Sequence, residues 1–217
     1  MNLVLLSTFN PNSNIKNMKK IYSKITSMAN PKNTTVGYLS YYTDAELTRF
    51  EKTKRCYSNL GYKRFRCFDL DEKYKLNSLD ELLKCNLIHI PGGNTFDLLN
   101  LINKYNLLDK LRLFVKNGGV LVGVSAGSIL ISPSISVAKF ADENVEDIEN
   151  LNALNLIDFT LKPHWQNWED KSLLFKEFSR DSNLKVYTLK DGEGIVIKNN
   201  EKYLFIDEKR NDIIISA

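Results

Sequence analysis

Short apolar runs alternate with amphipathic segments over the first two thirds of the chain. Between the first two runs, apolar side chains recur at intervals of three or four, and the segments 96–102 and 107–115 have the same helical period. Strands that alternate with helices are typical of a parallel sheet with crossover helices, so the pattern predicts an α/β layered fold. The runs with the length and composition of buried strands lie at residues 3–7, 35–40, 64–68, 86–90 and 120–124.

Turn-forming and capping residues bound several of these elements. The tetrapeptide Asn10-Pro11-Asn12-Ser13 predicts a turn between the first strand and the first helix. Asp44 is expected to cap the second helix, which Gly61 ends as a left-handed C-cap. These positions support the helix and strand boundaries that the apolar pattern predicts.

The C-terminal third has an antiparallel character. Residues 194–198 and 202–206 flank the polar connection Asn199-Asn200-Glu201, which predicts a β-hairpin, and residues 213–215 are expected to add a last strand. The sequence contains no internal repeat, low-complexity tract or linker. Residues 1–217 are therefore predicted to form one domain.

Composition and charge exclude several classes of protein. The 43% apolar content suits a sizeable core, and the 30 basic and 26 acidic residues are spread along the chain, which argues against a nucleic-acid partner. The three cysteines and two histidines lack the spacing of a metal site or a disulfide framework, and no run approaches the ~18 apolar residues of a membrane span. The N-terminal stretch lacks a signal-peptide pattern. We expect a cytoplasmic protein without metal, cofactor or membrane association, and leave a homodimer open.

Candidate chemistry begins at the end of the fifth predicted strand. There Gly123-Val124-Ser125-Ala126-Gly127 reads as G-x-S-x-G, with an apolar helix start behind it. In a nucleophile elbow, a strand, a tight turn and a helix present a serine at the apex of the turn. Ser125 is thus the predicted nucleophile, with the backbone N–H of Ala126 in an oxyanion hole. The alternative is an ordinary glycine-rich turn.

A second glycine-containing loop follows the fourth predicted strand, at Pro91-Gly92-Gly93. Because parallel strands end at the same edge of a sheet, this loop is expected to face the elbow across one crevice. The N–H of Gly93, or alternatively that of Gly92, would then complete the oxyanion hole. Asn94 or Thr95 is expected to cap the following helix, a purely structural role that is compatible with the first.

A serine nucleophile requires a general base and an acid that orients it. His89 alternates with Ile88 and Ile90 in a strand, so we expect it to be a packed histidine. His164 lies in a proline-fixed, aromatic loop and is the predicted base. Glu193, between two glycines, is the preferred acid, and Asp191 is its close competitor.

At these residues the chain resembles the serine peptidases of the peptidase E (aspartyl dipeptidase) and cyanophycinase group, family S51. The resemblance rests on Gly92-Gly93-Asn94-Thr95, Ser125-Ala126-Gly127, Pro163-His164 and Glu193-Gly194, which occur in the family's order. It implies a three-layer fold with a mainly parallel sheet, similar to class I glutamine amidotransferases, together with the C-terminal hairpin. It also implies a metal-free Ser-His-Glu triad of Ser125, His164 and Glu193.

The expected function is therefore hydrolysis of small peptides through an acyl-enzyme on Ser125. An esterase or amidase with the same nucleophile, with Asp142, Asp147 or Asp158 as its acid, and a catalytically silent binding module of the same fold are the alternatives. Similar aspartyl dipeptidases bind the substrate's aspartate through an arginine soon after the catalytic histidine, whereas this chain has only lysines before Arg180, so strict specificity for aspartate is not expected. The residues expected to contact the substrate are Asn94, Asp142, Trp165, Lys171 and Arg180.

Overall fold

The computed structural model describes residues 1–10, 15–41, 43–70 and 79–216. Residues 11–13 of the predicted turn, and the side chain of the predicted cap Asp44, lie outside the described residues. Gly61 has a φ of 93°, which confirms the left-handed position expected after the second helix. The strands are β1 (Asn2–Leu6), β2 (Thr35–Ser40), β3 (Arg64–Asp69), β4 (Leu87–Ile90), β5 (Val120–Val124), β6 (Phe159–Pro163), β7 (Lys185–Leu189), β8 (Gly194–Lys198), β9 (Glu201–Phe205) and β10 (Ile214–Ile215).

The main sheet contains seven of the described strands in the order β3-β2-β4-β5-β1-β8-β9. The first five are parallel, and their carboxyl ends lie at one edge of the sheet. β8 runs antiparallel to β1 and forms the predicted hairpin with β9. Because Leu6 pairs with Gly194, the beginning of β8 lies at the same edge as the carboxyl end of β1.

A second sheet of three described strands has the order β10-β7-β6. The sequence pattern predicts the short last strand but not the parallel pairing of β6 with β7. In this pair Pro163 lies opposite Leu189, so the segments that follow the two strands leave the sheet at the same end. This register brings residues 164 and 190–193 close together.

Helices cover both faces of the main sheet, which confirms the three-layer α/β architecture. In β1, Val4 and Leu6 pack in one apolar cluster with residues of α1, whereas Leu3 and Leu5 pack in a second cluster with residues of α3, α4 and α5. This alternation follows from the two-residue period of a strand buried on both faces. The helices are α1 (Ile15–Met28), α2 (Thr43–Asn59), α3 (Thr95–Lys104), α4 (Leu107–Lys116), α5 (Ala126–Leu130) and α6 (Ser172–Ser182).

Within the described ranges, the helices are all too short or too polar to span a lipid bilayer.

Candidate active site

Ser125 lies between β5 and α5, at the carboxyl edge of the main sheet. Its φ of 51° and ψ of −111° are unusual for a residue with a side chain, and such strain persists only where the surroundings enforce it. The Ser125 N–H donates to the Leu6 carbonyl at 2.8 Å, which ties the turn to β1. The backbone thus has the form of the predicted elbow, with the serine at its apex.

Two glycines allow this turn to pack closely. A Cβ at Gly123 would overlap the backbone of Gly127, and a Cβ at Gly127 would overlap the carbonyl of Ile90. Both positions therefore require glycine for steric reasons. These contacts explain why the G-x-S-x-G pattern accompanies this backbone path.

A buried hydroxyl supports the elbow from below. Ser128 Oγ accepts a hydrogen bond from the Leu6 N–H at 2.9 Å, and it lies 2.8 Å from the Leu6 carbonyl and 2.7 Å from that of Gly123, either of which accepts its proton. Ser128 fixes the elbow against the strand next to it. No pattern in the sequence indicates this role, although Ser128 directly follows the motif.

His164 follows β6 and faces the serine. Its Nε2 lies 3.0 Å from Ser125 Oγ, within hydrogen-bond distance. The residue has a φ of 57°, and its backbone N–H donates to Ser7 Oγ at 2.9 Å. A left-handed backbone and a hydrogen bond to the end of the first strand therefore hold this histidine beside the elbow.

Asp191 is the carboxylate in contact with His164. Its Oδ1 lies 2.7 Å from His164 Nδ1 and accepts a second hydrogen bond from Ser7 Oγ at 3.1 Å. The Asp191 N–H donates to Gln166 Oε1 at 3.2 Å, and Gly192 N–H donates to Thr8 Oγ1 at 3.0 Å. Ser7 thus contacts both partners of the His-Asp pair, a role that the sequence analysis missed.

Glu193 does not contact the histidine, which corrects the preference for Glu193 over Asp191. Its buried carboxylate pairs with Arg210 and accepts the backbone N–H groups of Lys190 and Asp207, each at 2.8 Å. The physical reason is the direction of the chain. Asp191 lies in the exposed turn after β7, whereas Glu193 directly precedes β8 and its side chain enters the interior.

Comparison with known proteins matches most of the chain to one family. The family model for peptidase family S51 matches residues 3–205. The chain belongs to peptidase family S51. An uncharacterised peptidase of Listeria innocua is 33% identical over 124 residues, covering 55% of this chain and 59% of the relative. Peptidase E of a Nostoc species is 31% identical over 118 residues, covering 54% of this chain and 46% of the relative. The chain thus spans about half to three fifths of the length of these curated relatives.

Solved structures of similar proteins share the fold. The crystal structure of a candidate peptidase E protein from Listeria monocytogenes EGD-e superposes with a TM-score of 0.71 at 26% identity, covering 94% of this chain and 96% of that one. A peptidase from an acI-B1 Actinobacterium superposes with a TM-score of 0.58 at 12% identity, covering 100% of this chain and 94% of that one. The second similarity concerns the fold alone.

The Gly92-Gly93 loop of this S51 protein lies beside the serine, as the parallel pairing of β4 and β5 predicts. A Cβ at Gly92 would lie 3.0 Å from Ser125 Cβ, and the Gly127 N–H donates to the Pro91 carbonyl at 3.1 Å. Gly93 has a φ of 143°, and a Cβ there would overlap the Tyr41 hydroxyl. The two loops therefore meet directly, with only glycine fitting at the points of closest approach.

Asn94 and Asp142 hold this loop in place. Asn94 Oδ1 accepts the N–H groups of Phe96 and Asp97 as the N-cap of α3, which confirms the capping role expected for Asn94 or Thr95. Asp142 Oδ2 accepts Thr95 N–H at 2.9 Å and Thr95 Oγ1 at 2.5 Å. Both residues were expected to contact the substrate, but these atoms bond to the protein itself.

The other expected substrate contacts lie elsewhere. Trp165 is fully buried, its Nε1–H donates to Asp212, and its ring packs on Phe175, so it belongs to the core and does not form a wall of the site. Lys171 Nζ lies 5.0 Å above the Trp168 ring. Arg180 pairs with Asp181 at 3.2 Å on the surface of α6, and its side chain is largely exposed.

Arg49 is a cation that the sequence analysis missed. Its Nη1 donates to the Gly92 carbonyl at 3.4 Å, beside the elbow serine. It lies on the exposed side of α2, 76 residues before Ser125 in the sequence, so no local motif indicates it. Arg49 thus adds a positive charge to the edge of this S51 site.

His89 is packed in the sheet, which confirms the expectation of a packed, buried histidine. Its Nδ1 lies 3.1 Å from the Tyr57 hydroxyl, and its ring stacks on Tyr38 with centroids 5.3 Å apart. Burial lowers the pKa of His89 to about 3, so the ring is neutral at physiological pH.

Lys162 is a buried cation two residues before His164. Lys162 is only 4% exposed, and its Nζ lies 3.9 Å from the centroid of the Trp168 ring. Burial lowers the pKa of Lys162 to about 8, against a smaller opposing effect of Asp142. Among the described residues, no hydrogen-bond acceptor contacts this ammonium group.

Replacing Lys162 with methionine is expected to stabilise the protein at pH 7. Because the folded state holds the lysine at a lowered pKa, the unfolded state binds more protons between the two pKa values, and the stability of the wild type rises as the pH increases from about 8 to about 10.4. The variant should gain about 1–2 kcal/mol at pH 7, since the lost cation–π contact offsets part of the relieved burial cost. Urea unfolding at pH 7 and pH 9.5 measures this difference, which should shrink at the higher pH.

Lys171→Met provides the matched control, because Lys171 faces the same Trp168 ring from an exposed position. It should change stability by less than about 0.5 kcal/mol. A Lys162→Met variant that is less stable than the wild type at pH 7 would show that the ammonium group has a favourable partner.

Proposed function

We propose that this S51 protein is a serine-type peptidase that hydrolyses small peptides through an acyl-enzyme on Ser125. The observation that carries the proposal is the continuous chain of contacts from Ser125 Oγ to His164 Nε2 at 3.0 Å and from His164 Nδ1 to Asp191 Oδ1 at 2.7 Å. The presence of Peptidase E among the curated relatives supports a peptide substrate. We assign the nucleophile to Ser125, the base to His164 and the orienting acid to Asp191.

The first half of the proposed reaction forms the acyl-enzyme. Ser125 Oγ attacks the carbonyl carbon of the peptide bond while His164 Nε2 takes the hydroxyl proton. The carbonyl electron pair moves to oxygen, and Asp191 stabilises the imidazolium cation that forms. When the C–N bond breaks, His164 transfers its proton to the leaving amine, which departs with a free amino group.

The second half releases the acyl group. His164 removes a proton from water, the resulting hydroxide attacks the ester carbon, and the C–O bond to Ser125 breaks with return of the proton to Oγ. We assign stabilisation of the oxyanion in both halves to the backbone N–H groups of Ala126 and Gly93. Ala126 begins α5, where the unpaired N–H groups of a helix favour negative charge.

Substrate choice is expected to be broad at the N-terminal residue of the peptide. Residues 165–179 contain no arginine, and Arg180 pairs with Asp181, so this segment offers no guanidinium fork for an aspartate side chain. We therefore expect kcat/KM for Asp-Leu to exceed that for Ala-Leu by no more than about 10²-fold. A preference above roughly 10⁴-fold would contradict this, because it requires a site built to pair the carboxylate.

The origin of any mild acidic preference is testable in the same assay. The exposed guanidinium of Arg49 beside Gly92 should supply it, so Arg49→Met should bring the two substrates to within a few fold of each other. Arg180→Met is the matched control and should leave the ratio unchanged.

Digestion of a peptide library, read by mass spectrometry, tests the function itself. Cleavage of short peptides, together with fluorophosphonate labelling at Ser125, is the expected result. Turnover of simple acyl esters without peptide cleavage would show an esterase or amidase. A protein that neither labels nor cleaves would be a binding module of this fold.

A further inference from the structure

Arg210 lies in the segment between β9 and β10, close behind the proposed triad. Its side chain is only 5% exposed, and its guanidinium is bonded on several sides. It pairs with Glu193, Nε donates to Asp212 Oδ1 at 2.9 Å, and Nη2 donates to Thr188 Oγ1 at 2.6 Å. The pair with Glu193 joins this segment to the residue just before β8, whereas Asp212 lies two residues after Arg210 in the same segment.

One side of this network closes the turn that carries Asp191. Glu193, whose side chain is 2% exposed, accepts the Lys190 N–H at 2.8 Å, and the Glu193 N–H donates to the Lys190 carbonyl at 2.9 Å. Asp191 lies between these two residues in the chain. The position of the Glu193 carboxylate therefore determines the shape of the turn.

The other side holds the loop that carries His164. Asp212 accepts hydrogen bonds from Arg210 and from the indole of Trp165, the residue directly after the histidine. Burial opposes ionisation of Asp212, but these two hydrogen bonds hold the pKa of its carboxyl below the usual value. Asp212 is thus an ionised acceptor that ties Trp165 to Arg210.

The imidazole and the carboxylate are themselves poorly confined. The side chains of His164 and Asp191 are 37% and 42% exposed, and an ion pair in water contributes little to its own geometry. Among the described residues Asp191 is the charged group in contact with His164, and the adjacent Lys190 is paired with Glu169. The buried network behind the site provides the confinement that the exposed pair lacks.

We infer that Arg210 is a positioning residue of the proposed triad, which sets the distance between His164 and Asp191 by joining the turn that carries one to the loop that carries the other. This inference rests on the proposed function. Arg210 reaches the turn through Glu193 and the loop through Asp212 and Trp165. Some residues orient a functional histidine through an intermediate residue. Their removal typically lowers activity by about 10–100-fold.

Arg210→Met is the principal test. It leaves Glu193 buried without its cation, and the turn should shift to expose that carboxylate. We expect kcat to fall about 10–100-fold with KM changed less than about threefold, and the acid limb of kcat/KM to move to lower pH, because the imidazolium loses part of its contact with Asp191. Arg180→Met, on exposed α6, is the matched control and should show none of these changes.

A double variant separates positioning from stability. Arg210→Met/Glu193→Gln removes both buried charges, so Tm should recover towards the wild-type value while kcat and the pH profile stay altered. Recovery of kcat in parallel with Tm, with a wild-type pH profile throughout, would overturn the inference. If Arg210→Met does not fold, Asp212→Asn is the second test. This variant weakens only the connection from Arg210 to Trp165, and it should move the acid limb of kcat/KM in the same direction.

An NMR titration makes the test independent of peptidase activity. The chain has two histidines, and burial lowers the pKa of His89 to about 3, so the imidazole signal of His164 can be distinguished from that of His89. The midpoint of that titration should fall in Arg210→Met and stay unchanged in Arg180→Met. An unchanged midpoint in Arg210→Met refutes the inference, whereas a wild-type protein without peptidase activity refutes the proposed function alone.

Discussion

Replacing Ser125 with alanine is expected to lower kcat/KM for a short peptide by about 10⁶-fold, because the members of a catalytic triad act as a unit. The variant loses the oxygen that attacks the peptide bond and the hydroxyl that lies 3.0 Å from His164 Nε2. Binding of the peptide should be retained, since the backbone of the Gly92-Gly93 loop and the glycines of the elbow do not depend on the hydroxyl. Steady-state kinetics measures the loss, and intact-protein mass spectrometry should show that fluorophosphonate no longer adds to the protein.

The matched control is Ser128→Ala, one turn further along α5. Ser128 Oγ supports the elbow through Leu6 and Gly123, so its loss should reduce stability while fluorophosphonate still labels Ser125. Labelling of the wild type at a different serine, or full peptidase activity in Ser125→Ala, is incompatible with the assigned nucleophile.

The elbow and its facing loop could be predicted because each is encoded locally. A buried strand that runs into G-x-S-x-G specifies a tight turn, and Gly123 is required by its contact with the backbone of Gly127, four residues further along. The second loop follows from topology, since β4 and β5 are both parallel strands that end in glycine-rich segments. Short-range chemistry and a regular sheet therefore suffice to bring Gly92 and Ser125 together.

The carboxylate that contacts His164 could not be predicted correctly, because the contact depends on a strand pairing that no local pattern indicates. The parallel pairing of β6 with β7 sets Pro163 opposite Leu189, and this register alone brings the turn at 190–193 to His164. Within that turn, Asp191 and Glu193 both carry a carboxylate, and the irregular backbone has no period that would predict which side chain faces His164. The buried partner of Glu193, Arg210, is 17 residues further along the chain.

Long-range polar contacts explain the remaining differences. Asn94 and Asp142 both have the chemistry of substrate contacts, but the bond between Asp142 and Thr95 joins residues 47 positions apart. Trp165 lies in a proline-fixed, aromatic loop and was expected to line the site, whereas its ring is buried against Phe175. In each case the side-chain type is informative about chemistry, while the partner depends on how distant segments pack.

Replacing Asp191 with asparagine is expected to lower kcat/KM by about 10³–10⁴-fold. The carboxylate oxygen 2.7 Å from His164 Nδ1 accepts the ring proton and so leaves Nε2 free to take the proton of Ser125. An asparagine amide can donate to Nδ1 instead, which favours the wrong tautomer and removes the negative charge that stabilises the imidazolium. The acid limb of kcat/KM should also move to lower pH, because the protonated ring is no longer favoured by a neighbouring anion.

Comparison with Glu193→Gln distinguishes the two acids that the sequence leaves in competition. Glu193 acts at a distance through the turn, so its variant should lose no more than about 10–100-fold. Asp158→Asn, an exposed residue that would be the acid of an esterase-type triad, should keep its rate within about twofold. If Glu193→Gln were the crippled variant and Asp191→Asn kept near-normal rates, the carboxylate bonded to Arg210 would have to exchange places with Asp191 during turnover. The 2% exposure of Glu193 and its two backbone hydrogen bonds oppose that exchange, because releasing the carboxylate would break both and leave Arg210 buried without its partner.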